Sequence, residues 1–179
     1  FRSNNASGSG TGSGSFSVAA SATLGGIGSI SGAVTVNGTL APGNSPGTLT
    51  LGSSLTLGAG STSSYDLNAT DTTIGSTIND LTQIAGDLTL DGTRNVAVYN
   101  CSALAGGGVY RLFNYAGSLT DQTLDIGSIA VESGYMAQID TSTLGQVDLD
   151  IVSATPEPGS LALIGLAGLA LLRRRRRRS

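Results

Sequence analysis

The sequence predicts an all-β body built as a stack of short rungs, followed by one short C-terminal transmembrane helix. Three observations predict it. Apolar–Thr–apolar triplets recur along the chain, each closed by a turn residue, which is the period-two mark of a half-buried strand. The 27 glycines are too frequent and too scattered for helices, and they show no period of three. The residues from Pro156 to Ser179 join a proline pair, an apolar run and an arginine block.

Residues 1–17 form the first segment. From Ser3 to Ser17 it is almost wholly Ser, Gly, Asn and Thr, which predicts a flexible Gly/Ser-rich lead-in or the frayed edge of a larger array. The chain opens Phe1-Arg2-Ser3, with neither methionine nor an export leader, and is expected to be a fragment or a processed form.

Residues 18–155 form the body. Val34-Thr35-Val36 runs into Asn37-Gly38, Leu49-Thr50-Leu51 into Gly52, Leu55-Thr56-Leu57 into Gly58, and Leu88-Thr89-Leu90 into Asp91-Gly92. Asn-Gly and Asp-Gly suit tight turns, because both tolerate positive φ. Val147-Asp148-Leu149-Asp150-Ile151 repeats the alternation, with aspartate expected on the outer face. Strands this short bury no core singly. Stacked as rungs they do, with Val and Leu inside and Thr, Ser and Asp outside. The triplets centre on Thr35, Thr50, Thr56 and Thr89, an uneven spacing that keeps an antiparallel β-sandwich as the alternative.

Several chemistries are excluded by composition. With no histidine there is no Ser-His-Asp or Cys-His system and no imidazole metal ligand. With no lysine there is no Schiff base, Ser-Lys dyad or phosphate-loop lysine. Carboxylates are the remaining acid–base groups, as glycosidases use. The candidate pairs are Asp87 with Asp91 and Asp148 with Asp150, each expected to be an exposed, solvating pair without the burial that raises a pKa. No catalytic residue, metal or cofactor is therefore expected, and the protein reads as a non-enzyme.

Arg2, Arg94 and Arg111 face eleven acids in residues 1–155, a net charge of −8 that argues against nucleic acid as a partner. The single Cys101 is read as a small buried hydrophobe. Outward Thr35, Thr50, Thr56 and Thr89 raise an ice-binding array as an idea, against which stands the high strand propensity of threonine. Asn5, Asn37, Asn68 and Asn100 open glycosylation sequons, which Ser/Thr/Asn-rich sequence produces by chance.

The tail, residues 156–179, has three parts. The segment 156–160 holds Pro156, Glu157 and Pro158, whose prolines keep the backbone extended. The span Leu161, Ala162, Leu163, Ile164, Gly165, Leu166, Ala167, Gly168, Leu169, Ala170, Leu171 and Leu172 has no polar side chain. As a helix it covers about 18 Å against a hydrocarbon core of about 30 Å, so insertion is marginal. Arg173, Arg174, Arg175, Arg176, Arg177 and Arg178 act as the stop-transfer block and stay cytoplasmic.

Pro-Glu-Pro, a short apolar span and a terminal arginine cluster together resemble the PEP-CTERM sorting signal of bacterial envelope proteins, a tail also labelled an ice-binding protein C-terminal segment. The resemblance implies export and recognition of Pro156, Glu157 and Pro158 by a membrane-embedded exosortase that removes the tail. In the body, Gly38-Thr39-Leu40-Ala41-Pro42-Gly43-Asn44-Ser45-Pro46-Gly47-Thr48-Leu49 is similar to the loop of autotransporter-associated β-strand repeats. Gly108 to Tyr115 resembles the strands that close such passenger domains. This second resemblance implies a right-handed parallel β-helix and surface display or adhesion. The expected function is that of an exported cell-surface or matrix protein, structural or adhesive, held by the membrane at least transiently. The alternatives are a carbohydrate- or ice-binding module, with extracellular polysaccharide as a partner, and a carboxylate-dependent carbohydrate-active solenoid whose Tyr65, Tyr99, Tyr110, Tyr115 and Tyr135 stack on sugar.

Overall fold

A computed structural model describes residues 1–90, 95–99, 103–121, 125–126 and 129–154, with backbone alone at 95–99 and 125. Among these residues there are strands and turns and no helix. The first coil is β1 (Phe16–Val18), β2 (Thr23–Gly26) and β3 (Ser29–Ile30). The second is β4 (Val34–Val36), β5 (Thr39–Pro42) and β6 (Thr48–Leu51), and the third β7 (Leu55–Leu57), β8 (Thr62–Asp66) and β9 (Leu81–Ile84). The fourth is β10 (Leu88–Leu90), β11 (Asn95–Tyr99) and β12 (Val109–Tyr115). The chain ends through β13 (Leu119–Asp121), β14 (Asp125–Ile126), β15 (Tyr135–Asp140) and β16 (Gln146–Ser153).

From β1 to β14, apart from β12 and the two strands at the ends of their sheets, each strand pairs in parallel with the strand three places on, giving three sheets that the chain visits in rotation. The first sheet is β1-β4-β7-β10-β13, the second β2-β5-β8-β11-β14, and the third runs β3-β6-β9-β12 before closing with β16 and β15. Parallel neighbours need a crossover. Here the other two sheets supply it, which is why three-residue strands suffice. The fold is all-β with parallel sheets in a solenoid-like body. Antiparallel pairing among the named strands is confined to β12–β16 and β15–β16, so the sandwich alternative does not describe it.

Register builds the core. In the first sheet Phe16, Val34, Leu55, Leu88 and Leu119 stack in one column, and Val18, Val36, Leu57 and Leu90 in a second. Between them Ser17, Thr35, Thr56, Thr89 and Thr120 form the outward column. Both inner columns join one hydrophobic cluster with Leu24 and Leu40 of the second sheet and Ile30, Leu51 and Ile84 of the third. The predicted triplets are therefore strands, and their uneven spacing has a cause. Thr50 belongs to the third sheet, while Thr35, Thr56 and Thr89 share the first, and the third coil lengthens through an excursion over 67–80.

Residues 1–15 run along the open side of the first coil. The Ser3 amide donates to the Gly25 carbonyl (2.8 Å), Gly28 to Ser3 (2.6 Å) and Gly10 to Ser29 (2.8 Å). The Asn5 side-chain oxygen accepts from the Ser29 amide (3.0 Å). These bonds satisfy backbone groups that the edges of β2 and β3 would otherwise present. At the other end β12, within the segment that resembles closing strands, pairs in parallel with β9 and antiparallel with β16. No helix of the described residues is long and apolar enough to cross a membrane. The predicted transmembrane helix over 161–172, the sorting motif, the arginine block, Cys101, Asp91, Asn100 and the Tyr99 side chain lie outside that description.

Candidate functional site

Among the described residues, the connections from the second sheet to the third lie on one corner of the coil, because the parallel strands of the second sheet point toward it. Ile27–Gly28 joins β2 to β3, residues 43–47 join β5 to β6, and residues 67–80 join β8 to β9. In the 43–47 loop Gly43 (φ 81°) and Ser45 (φ 72°) are left-handed, which reverses the chain between Pro42 and Thr48. A Cβ on Gly43 would collide with the Asp80 carboxylate, so glycine is required there for space as well as for conformation.

Asp80 ends the 67–80 excursion and is 2% exposed. One carboxylate oxygen accepts from the Gly47 amide (2.7 Å), the other from the Asp66 amide (2.8 Å). The side chain thus staples the 43–47 loop to the end of β8. Burial pushes its pKa up to about 6; the two backbone donors and Arg2 pull it down, and the Asp66 charge adds to the rise. Arg2 donates to the Gly43 carbonyl (3.3 Å) and the Asn44 side-chain oxygen (2.9 Å), so the N-terminal segment reaches the same corner. A cavity of about 260 Å³ lies there, lined by Arg2, Pro42, Ser45, Ser64, Asp66 and Asp80. Asn79 organises the excursion: its oxygen accepts from the Asn68 amide (2.6 Å), and its nitrogen donates to the Asp71 and Thr73 carbonyls (both 2.7 Å).

Asp80 and Asp66 are the titratable residues that sequence reasoning missed. Neither belongs to a close pair, and no periodicity marks a carboxylate that turns inward at a loop end. The expectation that the body's carboxylates lack burial fails at Asp80. It also fails at Asp148, which is buried because Arg111 lies over it in a salt bridge and Gln146 donates to it (2.8 Å). Asp150 is half-buried, and burial, then Asp140 and Asp148, hold its pKa above the ordinary carboxylate range. Asp87 is exposed as expected; its hydrogen bonds from the Ser118 amide (2.7 Å) and hydroxyl (2.8 Å) hold its pKa below that range.

Tyr65, Tyr110 and Tyr115 are buried in the core, which removes them as sugar platforms; Tyr65 bonds Thr82 (3.1 Å) and packs edge-on against Phe113. Asn5 and Asn68 both have their side chains engaged by neighbouring backbone.

The last strand, β16, ends at the same corner. Because β16 runs antiparallel to β12, it ends beside the start of that strand, with Val109 opposite Asp150 and Tyr135 opposite Ser153. The Ala154 amide, at the last described residue, donates to the Gly134 carbonyl (2.8 Å). Residues 154–178 match the family described as the PEP-CTERM protein-sorting motif. The tail carries a PEP-CTERM sorting signal. Such a signal marks exosortase substrates, and so an exported protein. The chain is also 48% identical over 117 residues to the adhesin BmaC autotransporter of Brucella suis biovar 1 (strain 1330). That match covers 65% of this chain and 3% of the relative, so the chain spans a small piece of that protein's length. Being longer than the tail, the match lies mostly in the body and agrees with its autotransporter-like reading.

Proposed function

We propose that this protein is a structural or adhesive component of the bacterial surface or extracellular matrix, sorted by its C-terminal tail. The observation that carries it is the sorting motif starting where the last strand of a solenoid-like body ends. In this reading residues 1–17 lead into the array, residues 18–155 are a right-handed parallel β-helix, and 156–179 are the sorting segment. The right hand follows from the bias of parallel crossovers. Pro156, Glu157 and Pro158 are read by the exosortase, Leu161 to Leu172 insert in the membrane, and Arg173 to Arg178 hold the end in the cytoplasm. The surface role is supported by the adhesin similarity, and the outward hydroxyl column Ser17, Thr35, Thr56, Thr89 and Thr120 suits contact with extracellular polysaccharide.

Deleting Pro156 to Ser179 is expected to release the protein into the medium; unchanged membrane association would overturn the sorting reading. One observation favours a second reading, a carboxylate-dependent activity on glycans: Asp80 titrates near 6 beside Asp66 in a cavity. Against it, both Asp80 oxygens are already held by backbone amides. Glycan turnover abolished by Asp80→Asn would establish it.

A further inference from the structure

The corner where β16 ends is also where the body exposes most of its large apolar side chains among the described residues. Ile27 (52% exposed), Ile74 (51%), Val109 (51%), Tyr135 (36%) and Met136 (52%) belong to the connections and strand starts that meet there. They come from the first, third, fourth and last turns of the coil, so they form a ridge along its length rather than one spot. Of the other exposed large apolar residues among those described, Leu144 lies in the β15–β16 turn at the far end of the third sheet. Phe1 lies at the start of the second sheet, its amine on the Thr23 carbonyl.

We propose that this ridge is a membrane-contacting edge: the body lies along the bilayer surface, with the ridge seated among lipid headgroups. The proposal rests on the reading that the tail inserts. Residues 155–160 separate Ala154 from Leu161, a tether that reaches at most about 20–25 Å when extended. The interfacial layer takes up ~5–7 Å of that on each side of the hydrocarbon core. A body leaving its tail from this corner is therefore held close to lipid by the same corner, at an effective concentration that makes weak apolar contact sufficient. Tyrosine and the aliphatic side chains are residue types that partition to that layer. Asp71 and Glu132 are exposed along the same connections, so the lipid chemistry that fits is zwitterionic rather than anionic.

The test uses the full chain carrying Cys101→Ser in phosphatidylcholine vesicles, with a headgroup-region quencher for labels on the body and an acyl-chain quencher for the label in the tail. Single fluorescent labels are placed at Thr72→Cys beside the ridge, at Leu144→Cys on the far end, and at Leu166→Cys in the tail. Loss of fluorescence at 72 and 166 but not at 144 is expected, weakening at 72 when phosphatidylglycerol replaces phosphatidylcholine. Ile74→Gln with Met136→Gln, both exposed sites, should restore fluorescence at 72 and leave 166 quenched. Quenching at 166 with none at 72, or equal quenching at 72 and 144, overturns the ridge while sparing the tail reading. No quenching at 166 overturns both. Protection of position 72 only when the processing enzyme is present assigns the ridge to that protein and overturns lipid contact.

Discussion

In the first sheet successive turns of the coil contribute the same three-residue strand, inward–outward–inward, and Leu55, Leu57, Leu88 and Leu90 pack in straight columns at zero exposure. At the corner between the second and third sheets the connections differ in length, and they carry a buried carboxylate, a cavity and exposed apolar residues, with the end of β16 beside them. The difference teaches where a coil of this kind tolerates change. A sheet position must match the rungs above and below it, whereas a corner needs only to return the chain in register. Longer connections and inward-turning polar side chains are therefore accommodated at the corner rather than in the sheets.

Four substitutions or conditions sharpen this contrast. Leu57→Ala removes a fully buried column residue from the regular side and should destabilise the body by about 2–5 kcal/mol in denaturant unfolding. A loss below ~1 kcal/mol would mean that the columns are not the source of stability. Gly43→Ala should cost more than ~1 kcal/mol, because it meets both a left-handed φ and the Asp80 carboxylate. Gly60, also left-handed (φ 78°) but with open space around it, is the control and should lose less when changed to alanine.

The Asp80 pKa, raised by burial to about 6, gives a signed pH dependence. The folded state binds that proton more tightly than the unfolded chain. The stabilisation is complete below the ordinary aspartate range near 4 and is lost as pH rises through about 6. The thermal midpoint should therefore decrease as pH rises from about 4 to about 6 and level off above that, and Asp80→Asn should flatten that slope. A slope unchanged by the substitution would assign the titration to another group. Thr56→Val, on the outward column, should change stability by no more than about 0.5 kcal/mol. A large loss there would show that the hydroxyl column contributes to the fold and is not simply strand-favouring surface.

How much of this was legible beforehand differs between the same two regions. Val34-Thr35-Val36, Leu55-Thr56-Leu57 and Leu88-Thr89-Leu90 could be read directly, because alternation within three residues and a following turn are local properties. The spacing between them looked irregular, because the 67–80 excursion adds residues to one turn of the coil without altering its register. Asp80 could not be read: its burial depends on Gly47 and Asp66, which are distant in the chain and meet only across two coils. For Asp148 the alternation in Val147–Ile151 gives the outward face but not the burial, because nothing local shows that Arg111 from β12 covers it.

The sequence by itself determined the all-β class, the positions of the main strands and the sorting tail, since strand alternation, turn residues and a proline–apolar–arginine order are all encoded within a few consecutive residues. Only the tertiary structure decided that the rungs pair in parallel at every third strand, that Arg2, Asp66 and Asp80 share one cavity, and that β16 ends beside the starts of β12 and β15, with Val109 opposite Asp150 and Met136 opposite Val152. Those facts depend on which residues the coil stacks above one another, and register over long sequence separations is set by packing of the whole core rather than by any local pattern.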